Sequence, residues 1–153
     1  MSPPGTYFVT FSTWHRQRLF VVESYARMFL KNLYRHRRES RYLLHAFVLM
    51  PEHAHLLLTP APNVTLEHAV QLIKGSFSHE IGGVIGRKRE VWERGFTDHR
   101  IRDRSDFENH RKYIHDNPVK REPVVLATEY RYSSAYPGFK LDELPSAAEA
   151  AVG

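Results

Sequence analysis

Tyr42-Leu-Leu-His-Ala-Phe-Val-Leu-Met50 is an almost unbroken apolar run. Pro51-Glu52 interrupts it, and His53-Ala-His-Leu-Leu-Leu-Thr59 follows. Such runs read as strands buried on both faces, and the short proline-containing break predicts an antiparallel hairpin. Upstream, Thr6 to Trp14 is rich in aromatic and β-branched residues, with Tyr7, Val9 and Phe11 on one side and Phe8, Thr10 and Ser12 on the other. This alternation predicts another strand. Between the two, Val22, Tyr25, Phe29 and Leu33 recur at helical spacing, so a helix is expected over about 21–38, ending in the basic run Arg35-His36-Arg37-Arg38.

Downstream of the hairpin, Pro60 to Asn63 reads as a loop and Thr65 as the N-cap of a helix with Ala69, Leu72, Ile73 and Phe77 on its core side, closed by Gly82-Gly83. A short strand is expected from Thr97 to Arg102. Ser105 and Glu108 match a capping box for a last helix, which Pro118 should stop at Asn117. Thr128 to Phe139 looks irregular, and the acidic, alanine-rich tail from Lys140 to 153 is expected to be mobile. A single domain is thus expected over 1–139. The order strand, helix, strand, strand, helix, strand is that of the split βαβ, ferredoxin-like fold. The class is α+β, an antiparallel sheet with helices on one face and an added C-terminal helix.

The 153 residues suit one domain with a true core. No apolar run approaches the ~18 residues of a membrane span, and the N-terminus carries no secretory pattern. There is no cysteine, which excludes disulfides and thiolate zinc sites. Lys and Arg outnumber Asp and Glu by 22 to 17, for a net charge of +5 and a pI near 9.6, a balance that suits a polyanionic partner such as nucleic acid.

Two groups of residues carry candidate chemistry. On a strand, His53 and His55 project from the same face and can share a divalent ion; two ordinary polar residues on a half-exposed strand are the plainer alternative. On a helix, Tyr113 and Asn117 stand one turn apart, offering a phenol and an amide oxygen; a half-buried tyrosine and a helix-capping asparagine are the alternative there. Taken together they suit phosphodiester chemistry, in which a metal ion, Mg²⁺ or Mn²⁺, neutralises charge on phosphate oxygens while the phenol attacks. His110, three residues before Tyr113, can approach the same place or simply lie on the helix surface.

The stretch Phe47 to Leu58, with His53-Ala-His55, resembles the histidine-hydrophobe-histidine (HUH) motif of tyrosine transposases. Arg111-Lys-Tyr113-Ile-His-Asp-Asn117-Pro118-Val-Lys-Arg121 resembles the helix bearing their nucleophile. Val91-Trp92-Glu-Arg-Gly-Phe96 with His99-Arg-Ile101-Arg, and Tyr130-Arg-Tyr132-Ser-Ser-Ala-Tyr136, are similar to segments of the REP-associated branch. The resemblance implies His53, His55 and Asn117 as metal ligands and Tyr113 as the nucleophile forming a 5′-phosphotyrosine. It also implies a single-stranded DNA substrate at the foot of a palindromic hairpin, and a nucleoid-associated place in the bacterial cytoplasm. Asn117 stands where insertion-sequence relatives tend to have Gln, which favours the REP-associated branch and leaves both monomer and homodimer open.

Expected DNA contacts are Arg111 and Lys112 beside Tyr113, then Lys120, Arg121, Arg100, Arg102, Lys74, Arg87 and Lys88, with Arg35, Arg37, Arg38 and Arg89 further off. Trp14, Trp92, Tyr130 and Tyr132 are candidates for stacking on bases, with a core role favoured for Trp92. Two rival readings stand beside strand transfer. One is a non-catalytic ferredoxin-like nucleic-acid-binding module. The other is a metal hydrolase that activates water and forms no covalent adduct.

Overall fold

The computed structural model describes residues 2–121, 124 and 126–145. Four antiparallel strands, β1 (Tyr7–Ser12), β2 (Tyr42–Leu49), β3 (His53–Pro60) and β4 (Thr97–Arg100), form one sheet in the order β2-β3-β1-β4. Helices α1 (Glu23–Arg38) and α2 (Leu66–Ile85) cover one face, giving the ferredoxin-like arrangement that the element order predicts. A third helix, α3 (Arg104–Arg121), lies across the opposite face.

Strand alternation explains the two layers. Tyr7, Val9 and Phe11 of β1, with Leu44, Phe47, Leu49, Leu56 and Leu58 from the hairpin, pack against Phe29, Leu33, Ile73 and Phe77 of the two covering helices. The intervening residues, Phe8, Ala46, Val48 and Leu57, meet Phe107 and Ile114 of α3. Both faces of β3 are therefore buried, which is why its sequence is so continuously apolar. His45 is the extra residue of a register shift between Leu44 and Ala46, and it bonds to the Asp142 carbonyl and the Thr59 hydroxyl.

Four boundaries differ from expectation. Helix α2 runs past Gly82-Gly83 and ends at Gly86, whose φ of 106° a residue with a Cβ adopts only under strain. Helix α3 is capped by the Asp103 carboxylate, which accepts from the Asp106 amide at 2.8 Å, and not by Ser105. It also continues through Pro118 to Arg121. Proline forfeits one i→i−4 bond, but here the ring is buried and the helix goes on beyond it. The strand expected to Arg102 closes at Arg100, where Ile101 instead donates to the Thr6 carbonyl.

After α3 the chain returns along the outer edge of β2. Leu49 donates to the Tyr132 carbonyl, Ser134 to that of Phe47 and Asp142 to that of Leu44. The Asp142 carboxylate accepts from the Leu44 amide and, at 2.9 and 2.8 Å, from the Arg37 guanidinium. Of the tail expected from Lys140, residues 140–145 include these contacts; 146–153 lie outside the described residues. Among the described residues no helix is long and apolar enough to cross a membrane.

Candidate active site

His53 and His55 emerge from β3 towards α3, while Ala54 between them joins the opposite core. Both imidazoles are buried, at 4% and 6% exposure. Their Nε2 atoms stand 3.1 Å apart. Each Nδ1 is held from behind: that of His53 lies 2.7 Å from Glu52 Oε1, and that of His55 2.7 Å from the Thr10 hydroxyl. A carboxylate can only accept, so His53 carries its proton on Nδ1 and turns the Nε2 lone pair towards its neighbour. Burial pushes both imidazoles below their ordinary range. For His55, with the nearby His53 and Arg121 adding to burial, the value falls to about 3. The result is two neutral nitrogen donors aimed at one point, each fixed by an outer hydrogen bond as metal-ligating histidines are.

Helix α3 brings one group against this pair and carries a second one turn further on. The Tyr113 ring meets the His55 ring edge-on at 5.4 Å and is 45% exposed, so its phenol is open to a substrate. Asn117 follows one turn later and is buried at 4% exposure, its Oδ1 without a hydrogen-bond partner. An orphaned buried acceptor costs about 1–3 kcal/mol, and polar groups so placed call for an explanation. A divalent cation suits this donor set, two imidazole nitrogens and an amide oxygen.

The sheet face beside the pair is aromatic. Phe8 lies between β3 and α3, 5.3 Å from the His55 ring, 5.9 Å from Tyr113 and 4.9 Å from His110. Beyond it, Asp106 is gripped by His99, His110 and the Arg102 amide. Burial works against its charge, but these donors prevail and hold the carboxyl down at about 2.

The expected DNA-binding cations fall into different places. Arg111 pairs with Glu108 and lies over the Phe107 ring, and Lys112 pairs with Asp116 at 2.7 Å. Both are exposed on α3. Lys120 and Arg121 are exposed on its last turn, and the charge of Arg121 reaches both His53 and His55. Arg100 donates to the Pro4 carbonyl on β4, and Arg102 lies against Asp106 with its side chain in solvent. Lys74 is elsewhere: from α2, on the other face of the sheet, it donates to the Glu93 and Gly95 carbonyls. Arg87 folds back on the His79 carbonyl, and Lys88 is exposed in the loop after α2. Trp92 is a core residue in the segment between α2 and β4, its indole donating to the Lys74 carbonyl. Trp14 stacks on His15, and Tyr130 donates to the Leu49 carbonyl.

Sequence reading missed Thr10, Glu52, Phe8, His99 and Asp106. Glu52 borders His53 and was legible as a partner. Thr10 and Phe8 sit on the non-core side of β1, where alternation marks them as facing whatever covers that side.

The comparisons with known proteins identify the family. The family model described as "Transposase IS200 like" matches residues 5–117, which span β1 to Asn117. The REP-associated tyrosine transposase of Escherichia coli K12 is 28% identical over 131 residues, 85% of this chain and 76% of that protein. A Haemophilus influenzae relative whose name places it in the same group is 30% identical over 111 residues, 65% of this chain and 62% of that one. The solved structure of a REP-associated tyrosine transposase bound to a REP hairpin superposes with a TM-score of 0.73 at 25% identity, covering 95% of this chain and 93% of the other. With the family's model matched across the sheet and the helix that bears the tyrosine, the chain belongs to the IS200-like transposases.

Proposed function

We propose that this transposase cuts and rejoins single-stranded DNA through a 5′-phosphotyrosine on Tyr113, at the foot of a palindromic hairpin. The observation that carries the reading is the convergence of the His53 and His55 Nε2 atoms, 3.1 Å apart, beneath an exposed Tyr113 ring. His53, His55 and the orphaned Asn117 Oδ1 would hold a divalent ion, Mg²⁺ or Mn²⁺. Such an ion, when bound, neutralises charge developing on the phosphate oxygens.

The chain's own residues supply the remainder. Glu52 fixes the tautomer of His53, and Thr10 holds the orientation of His55. Helix α3 presents the Tyr113 oxygen to phosphorus. A P–O bond to tyrosine forms, the bond to the 3′-oxygen breaks, and that oxygen leaves as a 3′-hydroxyl. The bond energy is stored in the phosphotyrosine, so a DNA 3′-hydroxyl can attack it later and rejoin strands without ATP. The exposed cations Arg111, Lys112, Lys120 and Arg121 flank the phenol and suit the DNA backbone. The REP hairpin bound by the related structure favours a hairpin substrate here.

The test uses labelled single-stranded oligonucleotides carrying palindromic hairpin repeats from the source genome, with Mg²⁺ or Mn²⁺, resolved on a denaturing gel. A covalent adduct is expected that disappears with a chelator and in Tyr113→Phe. Metal-dependent cutting that survives Tyr113→Phe would instead make the protein a hydrolase. Binding with neither cut nor adduct would make it a binding module.

A further inference from the structure

Asp106 and His110 form an oriented pair that the reading above does not use. The Asp106 carboxylate, buried on the first turn of α3, accepts from the Arg102 amide at 2.9 Å and from His99 Nε2 at 2.8 Å through one oxygen. Its other oxygen lies 3.1 Å from His110 Nδ1, which is also 2.8 Å from the Asp106 carbonyl. Every one of these partners is an acceptor, so His110 must carry its hydrogen on Nδ1. Its Nε2 is then a bare lone pair, and it has no hydrogen-bond partner among the described residues. The side chain is a quarter exposed. It stands one helical turn before Tyr113 on α3, and both rings pack on Phe8.

A phenol is a poor nucleophile at neutral pH unless a base removes its proton. We propose that His110 is that general base, with Asp106 as the residue that positions it. The inference rests on the strand-cutting reading above. As the Tyr113 oxygen bonds to phosphorus, His110 Nε2 takes its proton. The P–O3′ bond breaks, and the departing 3′-oxygen takes a proton from water. In the rejoining step the DNA 3′-hydroxyl gives its proton to water as it attacks, the P–O bond to tyrosine breaks, and His110 returns its proton to the phenolate.

The same three residues bring ligand-type atoms within 4.8 Å of one another, the spacing of a metal site. Two features favour the base. The His99 and His110 rings are stacked at 4.6 Å and 16°, and the nitrogens that face inward are already bonded to Asp106. The titratable and charged groups facing His110 are His99 from β4 and, on its own helix, Asp106 and Tyr113. Arg102 reaches it only through Asp106, and β1 contributes the uncharged Phe8.

The experiment follows adduct formation on the hairpin oligonucleotide at saturating Mg²⁺, as a function of pH. His110→Gln is expected to bind the hairpin normally. Its adduct should form about 100-fold more slowly at neutral pH and recover as pH rises towards the phenol range. His110→Ala should regain rate with added imidazole. A rate in His110→Gln within a few-fold of the unaltered chain overturns the proposal. So does a loss that neither pH nor imidazole relieves, or one that extra metal ion restores. Should these variants fail to fold, the intact chain with 3,5-difluorotyrosine at position 113 gives the answer. The acid-side break in rate then stays where it was if an imidazole is the base, and a break that follows the phenol downwards overturns the proposal. An unaltered chain that forms no adduct under any condition sinks the strand-cutting reading, and this inference with it. An adduct indifferent to His110 sinks this inference alone.

Discussion

The Thr10 hydroxyl makes one contact of consequence, to Nδ1 of His55 at 2.7 Å. Replacing it with the near-isosteric valine keeps the volume and the strand propensity but leaves Nδ1 facing a methyl group. The imidazole then loses the bond that sets its orientation. Thr10→Val is expected to weaken Mn²⁺ binding about 10- to 100-fold, the usual cost of losing a partner behind a metal-binding histidine. Titration of Mn²⁺ followed by its own paramagnetic signal measures this directly. An unchanged affinity would mean that Thr10 does not orient the ligand. At this scale the sequence was legible for groups that recur at fixed spacing within one element: His53 with His55, and Tyr113 with Asn117. It was silent where two elements meet. Nothing in the local sequence pairs Thr10 with His55, or His99 with Asp106, because those contacts exist only once β1 and β3, or β4 and α3, have come together.

Among the elements, α3 matters most, since it carries both Tyr113 and Asn117. Its N-terminus is secured by Asp103, whose carboxylate satisfies the Asp106 amide. Asp103→Ala should cost about 1 kcal/mol of stability by denaturant unfolding. Its effect on adduct formation should be larger than that of an equally destabilising change in α2, because the first turn of α3 also sets Asp106. Equal effects on activity would show that α3 is positioned by its packing alone. The strands were legible because one face or both must be buried, which forces a period of two or an apolar run. Helix ends were less so. The Gly82-Gly83 pair read as a stop, yet glycine inside a helix costs only about 1 kcal/mol, and packing against the sheet by Ile81 outweighs it. Pro118 read as a stop for the same local reason. In the folded protein it is buried, and the helix goes on past it to Arg121.

Across the whole molecule the histidines form a distributed acid sensitivity. Burial holds His36, His45, His53, His55 and His115 below their ordinary ionisation range. Each therefore binds a proton more readily when the chain is unfolded. Stability from these groups is fully present above about pH 6.5 and is lost progressively as pH falls from there through their lowered native values, about 3 for His55. Asp106, held at about 2, adds stability that is present above the ordinary aspartate range and is lost below about pH 4. The melting temperature of the metal-free protein should fall steadily from pH 7 to 5 and again below 4. A flat profile from 7 to 5 would mean that these imidazoles are not buried in solution.

The strip of chain that returns along β2 has a consequence for solubility. β2 is the longest and most apolar of the sheet's margins, with Phe47, Val48 and Leu49 fully buried. An open strand of that composition is a template on which a second molecule can add its own backbone, and repetition of that step builds fibrils. Tyr132, Ser134 and Asp142 occupy its outward-facing amides and carbonyls from within the same molecule. The opposite margin, β4, is only four residues long and strongly polar. The sheet is thus finished on one side by its own chain and blunted on the other, so the protein can hold a hydrophobic strand at its rim without recruiting copies of itself.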